Sequence, residues 1–382
     1  MKIGIITYHY HSNYGTMLQA FALQKYLETS GNEAEIIDFR YDNRVRNKQL
    51  RKRTLKDLIS YFLHPQKYFF KLVENKVIKN HGDDIRKKDL QFKEFLEKNI
   101  NLSNTLYRSD IELSNNPPLY DIYMVGSDQT WNPNVGGNPD SFYLSFVPYG
   151  KLRASYAPSI SITDLTKEQE SRLKVLLKDI QFLSCREKKG SLLLERILDR
   201  QVETVVDPTL LLNSIQWRNY QKTIKIPCSY ILQYLLGYSS EQRDYIKRLS
   251  KKLGLPIVVI PANYKDMSDK NAMWCGPSEF LYLIDNASLV CTDSFHGSVF
   301  SVNFRKPVYT FFKHKRGDKL SENSRIIDLY EAFGLSSRII ENYTVLPDLD
   351  SIEIDYSKCS GLIDNAIENS KEYLNKILST RI

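Results

Sequence analysis

The chain has 382 residues, 42% apolar and 26% charged, with 16 glycines and 14 prolines. That is a globular composition; it excludes collagen-like, mucin-like and wholly disordered chains, and the length suggests two domains at roughly 100–200 residues each. The net charge of +8 is uneven, because 17 basic and 8 acidic residues fall between Arg40 and Ile100, a local +9 that leaves −1 for everything else.

Lys2 to Thr7 reads as a short buried strand, Tyr8 to Gly15 as a polar loop, and Thr16 to Leu27 as a helix that stops near Gly31. Glu35 to Phe39 completes a β-α-β unit, the start of a Rossmann-like layer. Residues 50–98 have the spacing of amphipathic helices, with Leu58, Ile59, Phe62, Tyr68, Phe69, Leu72, Phe92 and Phe95 as apolar positions. Strands are expected at 120–125, 153–156 and 182–185, and helices at 167–177 and 190–198. Asp207-Pro208-Thr209 is a turn signal after which the alternation restarts. Strands at 229–236, 257–260, 289–292 and 308–312 alternate with helices at 241–253, at 277–285 and near His296. The expected architecture is α/β: two Rossmann-like β/α domains facing across a cleft, with a basic helical insertion at about 50–98 in the first. We expect the first domain to span 1–204 and the second 205–360, with a final helix at 361–382 packing back on the first.

Five scattered cysteines, Cys185, Cys228, Cys275, Cys291 and Cys359, form no Cys-x-x-Cys pair, which argues against a disulfide framework or a structural zinc site. Ile3 to Ile6 is too short for a signal-peptide core, and no apolar run approaches the ~20 residues that span a bilayer, so a soluble cytoplasmic protein is expected. The sequence contains no Gly-x-x-x-x-Gly-Lys-[Ser/Thr], no His-Glu-x-x-His and no full Gly-x-Gly-x-x-Gly. His9 and His11 lack neighbouring thiols and make a poor metal site.

Ligands of open α/β sheets bind beyond the carboxyl ends of strands, where loops enter helices. Four stretches occupy such places. In Asn13-Tyr14-Gly15-Thr16 a glycine lets backbone approach a ligand at a helix N-terminus, or simply makes a turn. Gly126-Ser127-Asp128-Gln129 puts a carboxylate and an amide after a strand, with Trp131 beyond; Asp128 either handles a sugar hydroxyl or caps the turn, and Trp131 reads as filler of the domain interface. Arg186 offers a planar fork for carboxylate or phosphate, or a salt bridge to Glu187 or another acid, and Cys185 beside it reads as buried packing. Ser294-Phe295-His296-Gly297-Ser298 puts a histidine at a helix start, where it can donate to an anion while Gly297 clears the approach; an N-capping Ser294 and a structural His296 give the same pattern.

Taken together, and in chain order, Ile5-Ile6-Thr7, Asn13-Tyr14-Gly15, Leu18-Gln19-Ala20, Val125-Gly126-Ser127-Asp128-Gln129, Arg186-Glu187, Asp207-Pro208-Thr209, Pro277-Ser278-Glu279-Phe280 and Ser294-Phe295-His296-Gly297 resemble the polysaccharide pyruvyl transferase family. The resemblance implies a fold like that of GT-B glycosyltransferases with the active site between the domains. It implies phosphoenolpyruvate as donor substrate, no required cofactor or metal, and a sugar or lipid-linked oligosaccharide as acceptor. Arg186 then falls to the donor carboxylate or phosphate, His296 to phosphate binding and general-acid action, and Asp128 to an acceptor hydroxyl. Asn13, Gly15, Thr16, Gly126, Ser127, Gln129, Ser294, Gly297 and Ser298 become candidate substrate-binding positions. Some relatives carry arginine two residues before the histidine, where this chain has Ser294, which removes one cation from the donor site.

Two rivals stand beside this reading: a glycosyltransferase of the same architecture using a nucleotide sugar, and a sugar-binding relative without catalysis. The basic insertion, with Tyr61, Phe62, Phe69 and Phe70, could touch an anionic membrane. It carries no nucleic-acid reader motif.

Overall fold

The computed structural model describes residues 1–41, 65–135, 137–162, 164–313 and 323–380. Leu58, Ile59, Tyr61 and Phe62, and the side chains of Tyr68, Phe69 and Phe70, lie outside the described residues, and with them the expected membrane contact.

Strands β1 (Lys2–Ile6), β2 (Glu33–Ile36), β3 (Ile122–Val125) and β4 (Leu152–Ser155) form a parallel sheet in the order β2-β1-β3-β4. A short parallel pair, β5 (Ser184–Cys185) and β6 (Glu203–Thr204), continues beyond β4, where the Ser155 amide donates to the Phe182 carbonyl at 2.9 Å. The second sheet contains β7 (Ile231–Tyr234), β8 (Ile257–Val259), β9 (Leu289–Thr292), β10 (Val308–Phe311) and β11 (Ile339–Ile340), parallel in the order β11-β10-β9-β7-β8. The fold is α/β with parallel sheets, as the alternation in the sequence requires. Strands without an exposed face read as unbroken apolar runs, as β1 and β3 do in the first sheet and β9 in the second, whereas edge strand β2 alternates Glu33 and Glu35 with buried Ala34 and Ile36.

Helix α1 (Tyr14–Thr29) starts two residues earlier than its apolar spacing suggests, because the Asn13 side chain accepts the Thr16 amide and caps it. It is buried almost all round, which a helix on the face of a single sheet would not be. The reason is its position between the first sheet and the second half of the chain. The Tyr14 ring stacks on Phe280 at 4.3 Å and its hydroxyl donates to the Cys275 carbonyl at 2.7 Å, while Phe21 lies 5.6 Å from Trp217. One apolar core therefore runs through both halves, from Ile3 and Leu18 to Trp217, Phe280 and Phe300.

The insertion supplies α2 (Pro65–Asn80) and α3 (Gly82–Asn99), and α3 presents Phe92 and Phe95 to Tyr14 and Phe21 at 5.0 and 5.6 Å. Further along come α4 (Lys167–Leu177), α5 (Lys188–Leu198), α6 (Ser240–Leu253), α7 (Pro277–Asp285), α8 (Phe295–Asn303), α9 (Ser324–Ala332) and α10 (Ser360–Leu378). In α10, Tyr373 donates to the Ser155 carbonyl at 3.0 Å and Ser370 Oγ accepts the Val206 amide at 2.9 Å. Trp131 does not fill an interface: it is buried in the core of the first half, stacked on Tyr143, with its indole N–H on the Phe142 carbonyl. No helix among the described residues is long and apolar enough to cross a membrane.

Trp217 is fully buried where the halves meet, so Trp217→Ala should cost about 3–5 kcal/mol. Because the core is shared, urea unfolding followed by circular dichroism and by fluorescence should remain one coincident transition. Two separated transitions would show that the halves do not depend on one another.

Candidate active site

Two helix N-termini meet at the carboxyl edges of the sheets. After β9, Thr292 Oγ1 accepts the Ser294 amide at 3.0 Å, and Ser294 Oγ accepts the Gly297 amide at 3.3 Å, capping α8 and putting His296 in its first turn. The imidazole lies against Gly15 at the start of α1. A Cβ on Gly15 would fall 1.9 Å from His296 Nδ1, so glycine is needed there for close approach rather than for a turn.

Behind His296 lies Asp207, whose carboxylate is fully buried. Its Oδ1 accepts the Thr209 amide and hydroxyl at 3.0 and 2.8 Å, and its Oδ2 accepts Arg186 Nη1 at 2.7 Å and Ser127 Oγ at 3.1 Å. His296 Nε2 stands 3.5 Å from the same Oδ2, within ion-pair reach but without a hydrogen bond of good geometry. Arg186 is itself buried: Nε donates to Glu187 Oε1 at 3.3 Å, and the guanidinium covers the Phe295 ring at 4.1 Å. Glu187 also accepts Ser159 Oγ at 2.5 Å. Arg186 Nη2 and His296 Nε2 are buried polar atoms without a hydrogen-bond partner, the kind of vacancy that a ligand or ordered water fills.

Burial alone would raise the Asp207 carboxyl, but His296, Arg186 and the Thr209 amide outweigh it and hold the group well below the usual carboxylate range. Burial works against the Arg186 charge, and Glu187 and Asp207 overcome it and raise its pKa. Burial pushes the Cys185 thiol up, leaving it inert as a nucleophile.

Asp128 lies beside Thr16 of α1. It holds a left-handed backbone at φ 71°, which aspartate tolerates better than most residues, while Oδ2 accepts Thr16 Oγ1 at 2.7 Å and Oδ1 accepts the Gln129 amide at 3.0 Å. It is only half-buried, and Gln129 beside it accepts Asn132 Nδ2 at 2.9 Å. His296, Arg186, Gly15, Thr16 and Asp128 are thus brought together, with Asn13 as the cap of α1.

Other expected positions do different work. Arg186 is not a free fork: Asp207 and Glu187 hold it from two sides, so only Nη2 remains for a ligand. Gly297 does not clear an anion's approach, since a Cβ there would meet Thr292 Oγ1 at 2.6 Å and the residue instead lets α8 pack on β9. Ser298 is turned inward onto Thr310 Oγ1 at 2.9 Å and does not face the cleft. Gly126 sits against the Thr7 side chain, and Ser127 is a buried support for Asp207 and Arg186 rather than a surface contact. His9 is fixed between the Thr7 carbonyl and Asp38, both at 3.0 Å, whereas His11 is exposed. Among the described residues no three His, Cys, Asp or Glu side chains converge to hold a metal ion.

Asp207, Glu187 and Phe295 are the site residues that sequence reasoning passed over. Asp207 read as a turn former because it does cap the short turn at Pro208–Leu210. The usable signal was that Arg186, an always-charged group placed after a buried strand, requires acids close by.

Two parallel sheets with helices around them, and a buried ion-pair centre where the two halves of the chain meet, define an α/β protein. The sequence profile of the polysaccharide pyruvyl transferases matches residues 13–312, most of the length, and the chain belongs to that family. No curated protein matches it in sequence. Among solved structures it is similar to UDP-GlcNAc 2-epimerase of Methanocaldococcus jannaschii, at 14% identity over 87% of this chain and 92% of the other, with a TM-score of 0.47. The Neisseria meningitidis UDP-GlcNAc 2-epimerase matches at 14% identity over 98% and 100%, TM-score 0.43, and the spinosyn rhamnosyltransferase SpnG at 12% over 100% of both chains, TM-score 0.40.

Removing Asp207 leaves Arg186 buried with one partner fewer, so Asp207→Ala should destabilise by about 3–5 kcal/mol. The carboxyl's depressed pKa means that its stabilisation is complete above the unfolded value of about 3.9 and is lost as pH falls below it. The gap between the urea stabilities of wild type and Asp207→Asn should therefore stay constant above about pH 5, begin to narrow as pH falls below about 4, and go on narrowing toward the much lower folded-state value. Parallel curves would show that the carboxylate is not held this way.

Proposed function

We propose that this chain transfers the three-carbon unit of phosphoenolpyruvate onto two hydroxyls of a sugar as a cyclic ketal, with release of phosphate, in the assembly of a bacterial surface polysaccharide. Family membership supports the transfer, and one observation in the fold carries the donor: His296 stands in the first turn of α8 and rests on the first turn of α1. Two helix N-termini at one point favour a multiply charged anion. They also supply positive potential where Ser294 replaces the arginine of some relatives.

In the proposed reaction a proton is added to the donor's methylene carbon, which becomes a methyl group, and cationic character develops at the central carbon. The first sugar hydroxyl adds there, the bond from that carbon to the phosphate oxygen breaks, and the second hydroxyl closes the ring. Of the two hydroxyl protons released, one replaces the proton taken by the methyl group and the other leaves with phosphate. His296 is the group we assign to the first proton transfer, backed by Asp207 at 3.5 Å. Asp128, half-buried beside Thr16, is assigned to the acceptor hydroxyl, which would displace Thr16 Oγ1 from Oδ2. Arg186 fixes both carboxylates and offers Nη2 to the donor.

The test is phosphate release from phosphoenolpyruvate, followed by ³¹P NMR over a panel of sugar acceptors. His296→Ala should lower kcat at least 100-fold while the folded circular-dichroism spectrum is kept. If no phosphate appears but a nucleotide diphosphate is released from a nucleotide sugar, the chain is a glycosyltransferase instead.

A further inference from the structure

Scattered exposed apolar residues are ordinary, but an exposed aromatic on a rigid loop beside a site is informative. Among the described residues, Tyr238 is a large side chain that stands exposed just after the carboxyl end of β7, with 52% of its surface open. It follows β7, the strand paired directly with β9. Its ring lies 5.5 Å from that of Tyr264 at a 35° tilt, which makes a broad aromatic face.

The loop beneath this face is held from several directions. Asp293 accepts the Leu236 and Gly237 amides at 2.6 and 2.8 Å, and Asn263 Nδ2 donates to the Leu235 and Gly237 carbonyls at 3.0 and 3.1 Å. Arg243, paired with buried Asp266 at 2.6 Å, donates to the Ser239 carbonyl at 2.9 Å, and Lys265 Nζ donates to the Tyr238 carbonyl at 2.5 Å. A Cβ on Gly237 would come within 2.8 Å of Asp293 Oδ2, so the loop sits on that carboxylate as closely as glycine allows. Asp293 immediately precedes the Ser294 cap of α8. One residue thus fixes both the aromatic face and the helix that carries His296. Helix α2 packs on residues 264–267, so the basic insertion borders this face.

We infer that Tyr238, supported by Tyr264, is a stacking platform for a second pyranose ring of the acceptor, so that the substrate is an oligosaccharide rather than a single sugar. The C–H groups on one face of a pyranose carry partial positive charge and are flat enough to cover a tyrosine ring, whose face is negative. Covering it also removes from water the half of the Tyr238 surface that stands open. A preorganised loop adds no ordering cost to that gain. The inference rests on the reading of a sugar acceptor above, and its test separates the two.

Wild type, Tyr238→Ala and Tyr238→Phe are titrated calorimetrically, at saturating phosphoenolpyruvate, with lactose, cellobiose and chitobiose and the corresponding trisaccharides. Tyr238→Ala should weaken oligosaccharide binding at least 10-fold, Tyr238→Phe should keep it, and the affinity for phosphoenolpyruvate should be the same in all three. Unchanged oligosaccharide affinity in Tyr238→Ala, or no binding of any of these sugars at millimolar concentration, overturns the platform. Loss of UDP binding in place of sugar binding also overturns it, by making the face a nucleobase site. Phosphate release is measured in parallel: if it is absent while Tyr238→Ala still loses oligosaccharide affinity, the transfer reading fails and the platform stands.

Discussion

A guanidinium leaves water only when carboxylates leave with it, and the seam of this protein is arranged around that requirement. Arg186 is buried after a short strand of the first half, and its charge is balanced by Glu187 on one side and Asp207 on the other. Satisfying Arg186 fixes Asp207, and Asp207 in turn sets what stands behind His296. Thr209 and Ser127 complete the remaining acceptor positions of the carboxylate, so its orientation has little freedom. The imidazole comes from the second half and meets a partner already in place. The geometry is thus set by the fold itself, and in the proposed reaction it would need no reorganisation on substrate binding.

The same seam explains the unusual burial of α1. Its N-terminus must come close enough for His296 to rest on Gly15, and this draws the rest of the helix between the sheet and α7, where Tyr14 stacks on Phe280. A helix covered on all sides needs apolar residues on all sides. Leu18, Ala20, Phe21, Ala22 and Leu23 supply them without a polar stripe, whereas surface helices such as α5 and α6 keep one.

What was legible in the sequence follows from how each signal arises. Strand and helix periods are local, so β9 at Leu289–Thr292, α4 and α7 fall on the residues their spacing indicates. Two-residue strands such as β6 and β11 have no period to show, and α9 starts without a side-chain cap or an acidic first turn to mark it. At the site, His296 and Asp128 could be singled out because each sits next to a strand end. Asp207 could not, because its partners Arg186 and Ser127 lie 21 and 80 residues away and only the fold brings them together. Gly297 and Ser298 face inward for a related reason that is silent in the sequence: a helix start has an inner and an outer side, and the order of residues does not say which side each takes.

The core that runs unbroken from Ile3 to Phe300 also governs how molecules come and go. Two-layer proteins whose halves meet through polar, hydrated surfaces can swing apart to admit a substrate and shut to exclude water. Here such a swing would pull Tyr14 off Phe280 and Phe21 off Trp217, exposing aromatic surface that is otherwise dry. In the proposed reaction, access to the seam would then be left to loop and side-chain motion at its rim. Selection among substrates would fall to the shape of a standing aperture, in the manner of a keyhole rather than a jaw.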